Sequence, residues 1–245
     1  MASSRDVVDR NIDKWQRIVM IRYRTAIILI GCLCAASWWP VFGAQQPEAA
    51  ETESLSALGN KDPGKMETAL GDLAADAIRY LLRTDVAFVA ASELRPKDPP
   101  IPPGKIKISD IRPLITYPDD PLAVLELTGK ELKQALEKSV SIYPQPNLAF
   151  LQVSGLKFTF DPKRSSGNRV VGILLNGAPV QEDAVYTVAV TNSMANGALG
   201  YWKVWSERHV KSRASDASIV KALEVFFKAN PKIDYSELDR IKPIN

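Results

Sequence analysis

The stretch Ala149-Phe150-Leu151-Gln152-Val153-Ser154-Gly155-Leu156-Lys157-Phe158-Thr159-Phe160-Asp161 alternates strictly from Leu156 onward. Leu156, Phe158 and Phe160 fall on one side and Lys157, Thr159 and Asp161 on the other, the period of two of a half-buried strand. Ser154-Gly155 just before it suits a bend or bulge, because a residue without Cβ lets another backbone or a ligand approach. Phe150 then sits at the mouth of the strand, outside its alternating face. On residue type alone, such a ring plugs a small core.

At 245 residues the chain has room for one ordinary domain with appendages and a sizeable core. Hydrophobic residues make up 46% and charged residues 24%, ordinary values for a globular protein. The net charge of +3 is unevenly spread: residues 1–44 hold six Lys or Arg against three Asp, and the remainder balances at twenty-five of each sign. A balanced domain lacks the concentrated basic face that nucleic acid requires, so no nucleic-acid partner is expected.

Arg22-Tyr23-Arg24 precedes an uncharged run from Thr25 to Pro47, with the small pair Gly43-Ala44 near its end. A positive segment, an apolar segment and small residues describe a secretory signal peptide over residues 1–44, with initiation at Met1 or Met20. Two alternatives stay open. The run approaches the roughly 20 residues that span a bilayer, which allows an uncleaved anchor through residues 25–44. Leu29-Ile30-Gly31-Cys32 also fits a lipoprotein cleavage box. All three place the domain outside the cytoplasm, periplasmic or extracellular, with membrane contact only through the N-terminal segment. Cys32 and Cys34 both lie in the apolar run, so the exported part has no disulfide, thiolate metal site or cysteine nucleophile.

Residues 45–65 are polar, acidic and poor in large apolar side chains, and are expected to form a disordered linker to a domain over residues 66–245. Leu70, Leu73, Ala74, Ala77, Ile78 and Leu81 recur at helical spacing, predicting a helix from about Glu67 to Arg83. Val86–Ala90 suits a buried strand. The proline-dense segment between Ser92 and Pro118 predicts a rigid extended connection, with Ile108 and Ile111 in one helical turn that Pro113 closes. Leu122–Leu127 predicts a strand, and Thr128-Gly129-Lys130-Glu131 a capping box opening a helix to about Ser141. Beyond Phe160 come strands at 169–175 and 185–191, with Asn176-Gly177 as a hairpin turn, and a last helix from Ile219 stopped by Asn230-Pro231. Helices at both ends around a mixed, mostly antiparallel sheet make an α+β domain.

Phe150-Leu151-Gln152-Val153-Ser154-Gly155 resembles a segment of the C-terminal domain of the 5'-nucleotidases. Leu70 to Ala77, Leu127-Thr128-Gly129, Gly167-Asn168-Arg169-Val170, Tyr186 to Ala189 and Asp239-Arg240-Ile241 resemble further family motifs in the family's order, so the likeness runs from about Met66 to Ile244. It implies the family's fold and a ligand set of Phe150, Arg95, Asn196 and Asp120, with Phe150 stacking on the substrate base and Arg95 contacting its phosphate. The chain also departs from the pattern. The family's Asn-x-Gly-Gly-Ile-Arg turn reads Ala90-Ala91-Ser92-Glu93-Leu94-Arg95, which keeps the arginine, removes the glycines and adds the charge of Glu93 beside it. The family's Pro-Phe-x-Asn stretch becomes Tyr117-Pro118-Asp119-Asp120. In the late loop, Ser193 stands where a second stacking Phe is expected and Leu199 where an Asp holds the ribose. A base–aromatic stack contributes about 1–3 kcal/mol, and a hydrogen bond to a charged group about 1.5–3 kcal/mol, so these replacements weaken nucleotide binding by orders of magnitude.

Catalysis in the family belongs to a separate metallophosphoesterase domain, whose two cations need several His and Asp ligands. Here His209 is the single histidine, in a polar segment that reads as solvated surface, and no catalytic residue, metal ligand or cofactor is expected. Asp119-Asp120 between two prolines reads as a turn, and Ser154 and Ser193 have no histidine partner for a triad. Trp202 and Trp205 read as a core or partner-facing patch. The function expected is a non-catalytic module that binds a nucleotide or another phosphorylated small molecule, working beside a separately encoded phosphoesterase. The alternative is a structural or protein-interaction domain with a decayed ligand site.

Overall fold

Strand Val86–Ala90 is buried along its whole length, and its alternate residues serve two different cores. Val86, Phe88 and Ala90 pack into one apolar cluster, Ala87 and Val89 into the other. The fold follows from that two-sided burial, which an alternating strand produces only at the centre of a layered domain.

A computed structural model describes residues 50–244. In chain order the elements are β1 (Glu51–Ser54), β2 (Leu58–Asn60), α1 (Ala69–Leu82), β3 (Val86–Ala90), β4 (Lys97–Ile101), β5 (Gly104–Lys107), α2 (Ile108–Ile111), β6 (Pro121–Thr128) and α3 (Gly129–Ser139). There follow β7 (Leu151–Ser154), β8 (Leu156–Phe160), β9 (Val170–Leu175), β10 (Ala178–Pro179), β11 (Val185–Thr191), α4 (Asn192–Ala195), β12 (Val210–Ser218), α5 (Ile219–Ala229), β13 (Lys232–Ile233) and β14 (Ile241–Pro243). The central sheet has the order β12-β6-β11-β3-β7, parallel between β11 and β3 and antiparallel elsewhere. On one face Leu132, Ala135 and Leu136 of α3 share a core with Leu156, Phe158 and Phe160 of the second sheet, β10-β9-β8-β14. On the other face α1 and α5 bury Leu70, Leu73, Ile78, Leu223 and Phe227. This is the α+β architecture expected.

The local signals act as their chemistry dictates. Thr128 Oγ1 accepts from Glu131 N at 3.2 Å and Glu131 Oε2 accepts from Thr128 N at 2.8 Å, closing the capping box of α3, an arrangement that contributes about 1 kcal/mol. Asn176 and Gly177 both have positive φ, 51° and 83°, as the tight hairpin between β9 and β10 requires. Gly155 has φ 82°, and a Cβ there would lie 2.0 Å from Asp85 O. At that residue the chain leaves the central sheet as β7 and enters the second sheet as β8.

Residues 45–65 do not form a linker over the part described. β1 pairs antiparallel with β5 and parallel with β13, β2 pairs with β4, and Leu58 and Asn60 are fully buried. The segment is ordered by backbone pairing with distant strands, a contribution that its polar composition does not report. The proline-dense connection likewise contains an edge strand, β4, in which Pro99 and Pro100 are exposed and need not donate to a neighbour. The expected signal or anchor segment, residues 1–44, lies outside the described residues.

The C-terminal segment is tied to α1 by charge. Arg240 Nη1 and Nη2 donate to the two Asp76 carboxylate oxygens at 2.7 and 2.9 Å, and Arg240 N and Ile241 N both donate to Glu67 Oε2 at 2.8 Å. Asp72 lies within this cluster, fully buried, with neither carboxyl oxygen hydrogen-bonded and Arg240 Nε 3.4 Å away. Burial pushes its pKa up to about 9; nearby Arg240 opposes the rise, while Glu67 and Asp76 add to it. A carboxyl raised in this way stabilises the fold fully below its unfolded value of 3.8, and that contribution is lost as pH rises through about 9. Asp72→Asn should therefore flatten the stability–pH curve between about pH 4 and pH 9, removing up to about 1.4 kcal/mol per pH unit. Urea midpoints of both proteins from pH 5 to pH 10 check this; parallel curves would contradict it.

Candidate functional site

The parallel pair β3 and β11 delivers two carboxyl ends to one edge of the central sheet. From there the chain continues into the Ala91–Glu93 turn and into α4. Glu93 joins the two ends. Its Oε2 accepts from Ala90 N at 2.6 Å and its Oε1 accepts from the Thr191 hydroxyl, whose oxygen accepts from Met194 N at 3.3 Å as the cap of α4. Glu93 as a whole is 4% exposed. Burial pushes its pKa up to about 7, hydrogen bonds from Thr191 and Ala90 pull against that, and Asp120 adds to it. Tyr201, also buried, donates its hydroxyl to Ala149 O at 2.7 Å, and burial, with Glu93 nearby, holds its pKa well above the ordinary range.

Beside this junction opens a cavity of about 390 Å³ between residues 61–65, the turn at 91–96, Thr116 and the 146–148 loop. Its floor and walls include Pro63, Pro96, Pro146 and the exposed Leu148. Gln152 fixes one wall from behind. Fully buried, it accepts from Thr68 N at 2.9 Å and donates to Pro63 O at 3.0 Å and Met66 O at 2.9 Å. The Phe150–Gly155 segment thus shapes the cavity from the core side.

The four expected ligand residues do not converge. Arg95 is exposed on the cavity rim, and its side chain makes no hydrogen bond or ion pair among the described residues. Asp120 and Asn196 lie outside the cavity lining. Asp120 ends the Tyr117–Asp120 turn and its Oδ2 accepts from Ser193 N at 3.3 Å. Asn196 is exposed, and its Oδ1 accepts from Arg213 Nη2 at 3.0 Å. Phe150 needs correction: its ring is 1% exposed and packed in the core shared with Phe88 and Tyr201, so no face is open to a base. Glu93 is corrected too, since its carboxyl turns inward to Ala90 and Thr191 and does not neutralise Arg95. His209 is no loose surface group; Glu131 Oε1 lies 3.1 Å from its Nε2, and Ser206 N donates to its Nδ1 at 2.9 Å. Trp205 is buried and donates to Met194 O, whereas Trp202 is 66% exposed. Among the described residues, no group of three or more His, Cys, Asp or Glu is arranged to hold a metal.

The sequence profile of the 5'-nucleotidase C-terminal domain matches residues 49–207. The chain belongs to this family. Human 5'-nucleotidase is 35% identical over 92 residues, covering 34% of this chain and 16% of that protein. Endonuclease YhcR of Bacillus subtilis is 31% identical over 129 residues, 53% of this chain and 10% of the relative. The solved structure of a 5'-nucleotidase precursor from Thermus thermophilus superposes with a TM-score of 0.71 at 28% identity, over 81% of this chain and 40% of that one. The chain spans less than half the length of each of these relatives. The family match starts before Met66, in agreement with the ordered β1 and β2, and stops short of Arg240.

Within this 5'-nucleotidase C-terminal domain the positions that depart from the family pattern now have places. Ser193 is exposed at the start of α4, and Leu199 takes a left-handed φ of 57° and packs partly against the core. Two residues, one in the cavity and one beside α4, escape a reading of the sequence. Lys65 lines the cavity but falls in the segment expected to be a linker. Arg213 holds Asn192, Asn196 and Glu207 together from β12, a strand too polar to show an apolar period. The burial of Phe150 leads to a direct check. Phe150→Ala should cost about 3–5 kcal/mol, read as a fall in denaturation midpoint with no ligand present. An unchanged midpoint would return the ring to the surface.

Proposed function

We propose that this domain is a non-catalytic, exported accessory module of nucleotide catabolism that binds a phosphorylated small molecule at the cavity beside Arg95. The observation that carries the reading is the pair of cations there. Arg95 and Lys65 face one cavity, and neither makes an ion pair among the described residues, whereas the neighbouring Lys61 is held 3.3 Å from Asp98. Guanidinium presents a planar fork that matches phosphate, and ammonium adds a point charge. The family supports the ligand class, since relatives are named for action on nucleotides. A separately encoded phosphoesterase is the partner that a binding module of this kind implies. The competing reading, a structural or protein-interaction domain, draws on the burial of Phe150 and on the exposed Trp202.

Arg95→Ala should weaken AMP binding about ten- to a hundredfold, the loss of a charge-assisted hydrogen-bonded contact, and Arg95→Lys should restore part of it. Melting curves with and without AMP read the effect, and AMP should remain intact throughout. A wild type whose melting temperature no phosphorylated compound raises would overturn the binding reading and favour the structural one. Export rests on the basic-then-apolar order of residues 20–44; no helix among the described residues is long and apolar enough to cross a membrane. The mature protein should begin near Gln45, a mass that intact-protein spectrometry of the exported fraction determines. A full-length mass would favour the anchor.

A further inference from the structure

Five polar side chains line the cavity with no hydrogen-bond partner among the described residues: Asp62, Lys65, Ser92, Arg95 and Thr116. They divide by chemistry. Arg95 and Lys65 supply positive charge; Asp62 supplies acceptor oxygens; the two hydroxyls both donate and accept. No aromatic ring is among the residues that line the cavity, the Phe150 ring being 1% exposed behind it, and the exposed rings of Tyr117 and Trp202 lie outside the lining. Three prolines and the Gln152 clamp hold the walls, so little ordering cost opposes a ligand. A volume of about 390 Å³ is at the compact end of small-molecule sites.

Building on the phosphate-binding reading above, we infer that the ligand is a sugar phosphate recognised without any nucleobase. Its phosphate meets the Arg95 fork and Lys65, and its hydroxyls meet Asp62, Ser92 and Thr116. A carboxylate that shares one cavity with two cations unpaired among the described residues suits a molecule with an anionic end and a hydroxylated end, and suits a bare anion poorly. A base brought into this cavity finds proline and leucine surface and no ring to stack on, so the roughly 1–3 kcal/mol that a stack contributes is missing.

The test is calorimetric titration of the full chain with ribose 5-phosphate, AMP, inorganic phosphate, ribose and adenosine. Ribose 5-phosphate and AMP should bind within about threefold of each other, inorganic phosphate at least about tenfold more weakly, and ribose and adenosine not measurably. Asp62→Ala should reduce ribose 5-phosphate affinity about tenfold and leave phosphate unchanged, whereas Arg95→Ala should weaken both about ten- to a hundredfold. AMP binding tenfold or more above ribose 5-phosphate would mean that the base is recognised, and would overturn this inference while leaving the phosphate site intact. Phosphate binding as tightly as ribose 5-phosphate, or an Asp62→Ala protein with unchanged affinities, would remove the sugar from it. Silence from every phosphorylated probe would overturn the inference and the function proposed above together.

Discussion

Gly155 lies where two sheets meet in one continuous piece of chain. With φ at 82° and Asp85 O pressed against the place of a Cβ, the residue turns β7, paired to β3, into β8, paired to β9 and β14. Any side chain there would need Asp85 to withdraw from a 2.0 Å contact, and Asp85 is itself held by Thr187 of β11 through hydrogen bonds of 2.7 and 2.8 Å. The sheet switch therefore depends on backbone freedom that glycine alone has. From it follow the two-sided burial of β3 and the division of the interior into two cores.

Buried polar groups then set which loops stay where. Gln152 ties the 63–68 segment to β7, Glu93 ties the ends of β3 and β11, and Asp76 with Glu67 ties the C-terminal segment to α1. Gln152 and Glu93 are each satisfied from two or more elements, the condition under which a buried polar group specifies an arrangement and does not merely cost solvation. Glu67 Oε1 and both Asp72 carboxyl oxygens are the exceptions, buried with no hydrogen bond, and burial makes the Asp72 carboxyl favour the neutral form. The cavity lies where two of these ties meet, walled by a loop that Gln152 holds and a turn that Glu93 caps.

Family membership and local chemistry divide at this cavity. The motif around Phe150 keeps the fold, with Phe150 and Gln152 facing the interior. The positions that differ from the family pattern, Glu93, Ser193 and Leu199, lie along the edge from which the loops spring. There a glutamate in place of the family's glycine fills the space between strand ends with a carboxyl that bonds to both. What stays open is the neighbouring cavity, where Lys65, Arg95 and the hydroxyls of Ser92 and Thr116 have no protein partner among the described residues.

The amino-acid sequence alone determined the helices with a one-sided apolar stripe, the capping box at Thr128, the Asn176-Gly177 turn and the alternation of β8. These signals lie within one or two turns of chain, so near neighbours suffice to read them. It also carried the α+β class and the family. Tertiary structure decided the rest. β1, β2 and β12 are polar strands stabilised by partners up to 179 residues away, and no local period announces them. Phe150 was legible as a ring at the start of a strand, but which way it faces depends on what packs over β3. Glu93 was legible as a charge next to Arg95 in the chain; its inward turn depends on Thr191, almost a hundred residues on. Lys65 and Arg95 line one cavity, and the loop that carries Lys65 is held by Gln152, although composition alone describes it as a tether. Contacts between distant residues are set by the folded chain as a whole, and the candidate cavity is built from them.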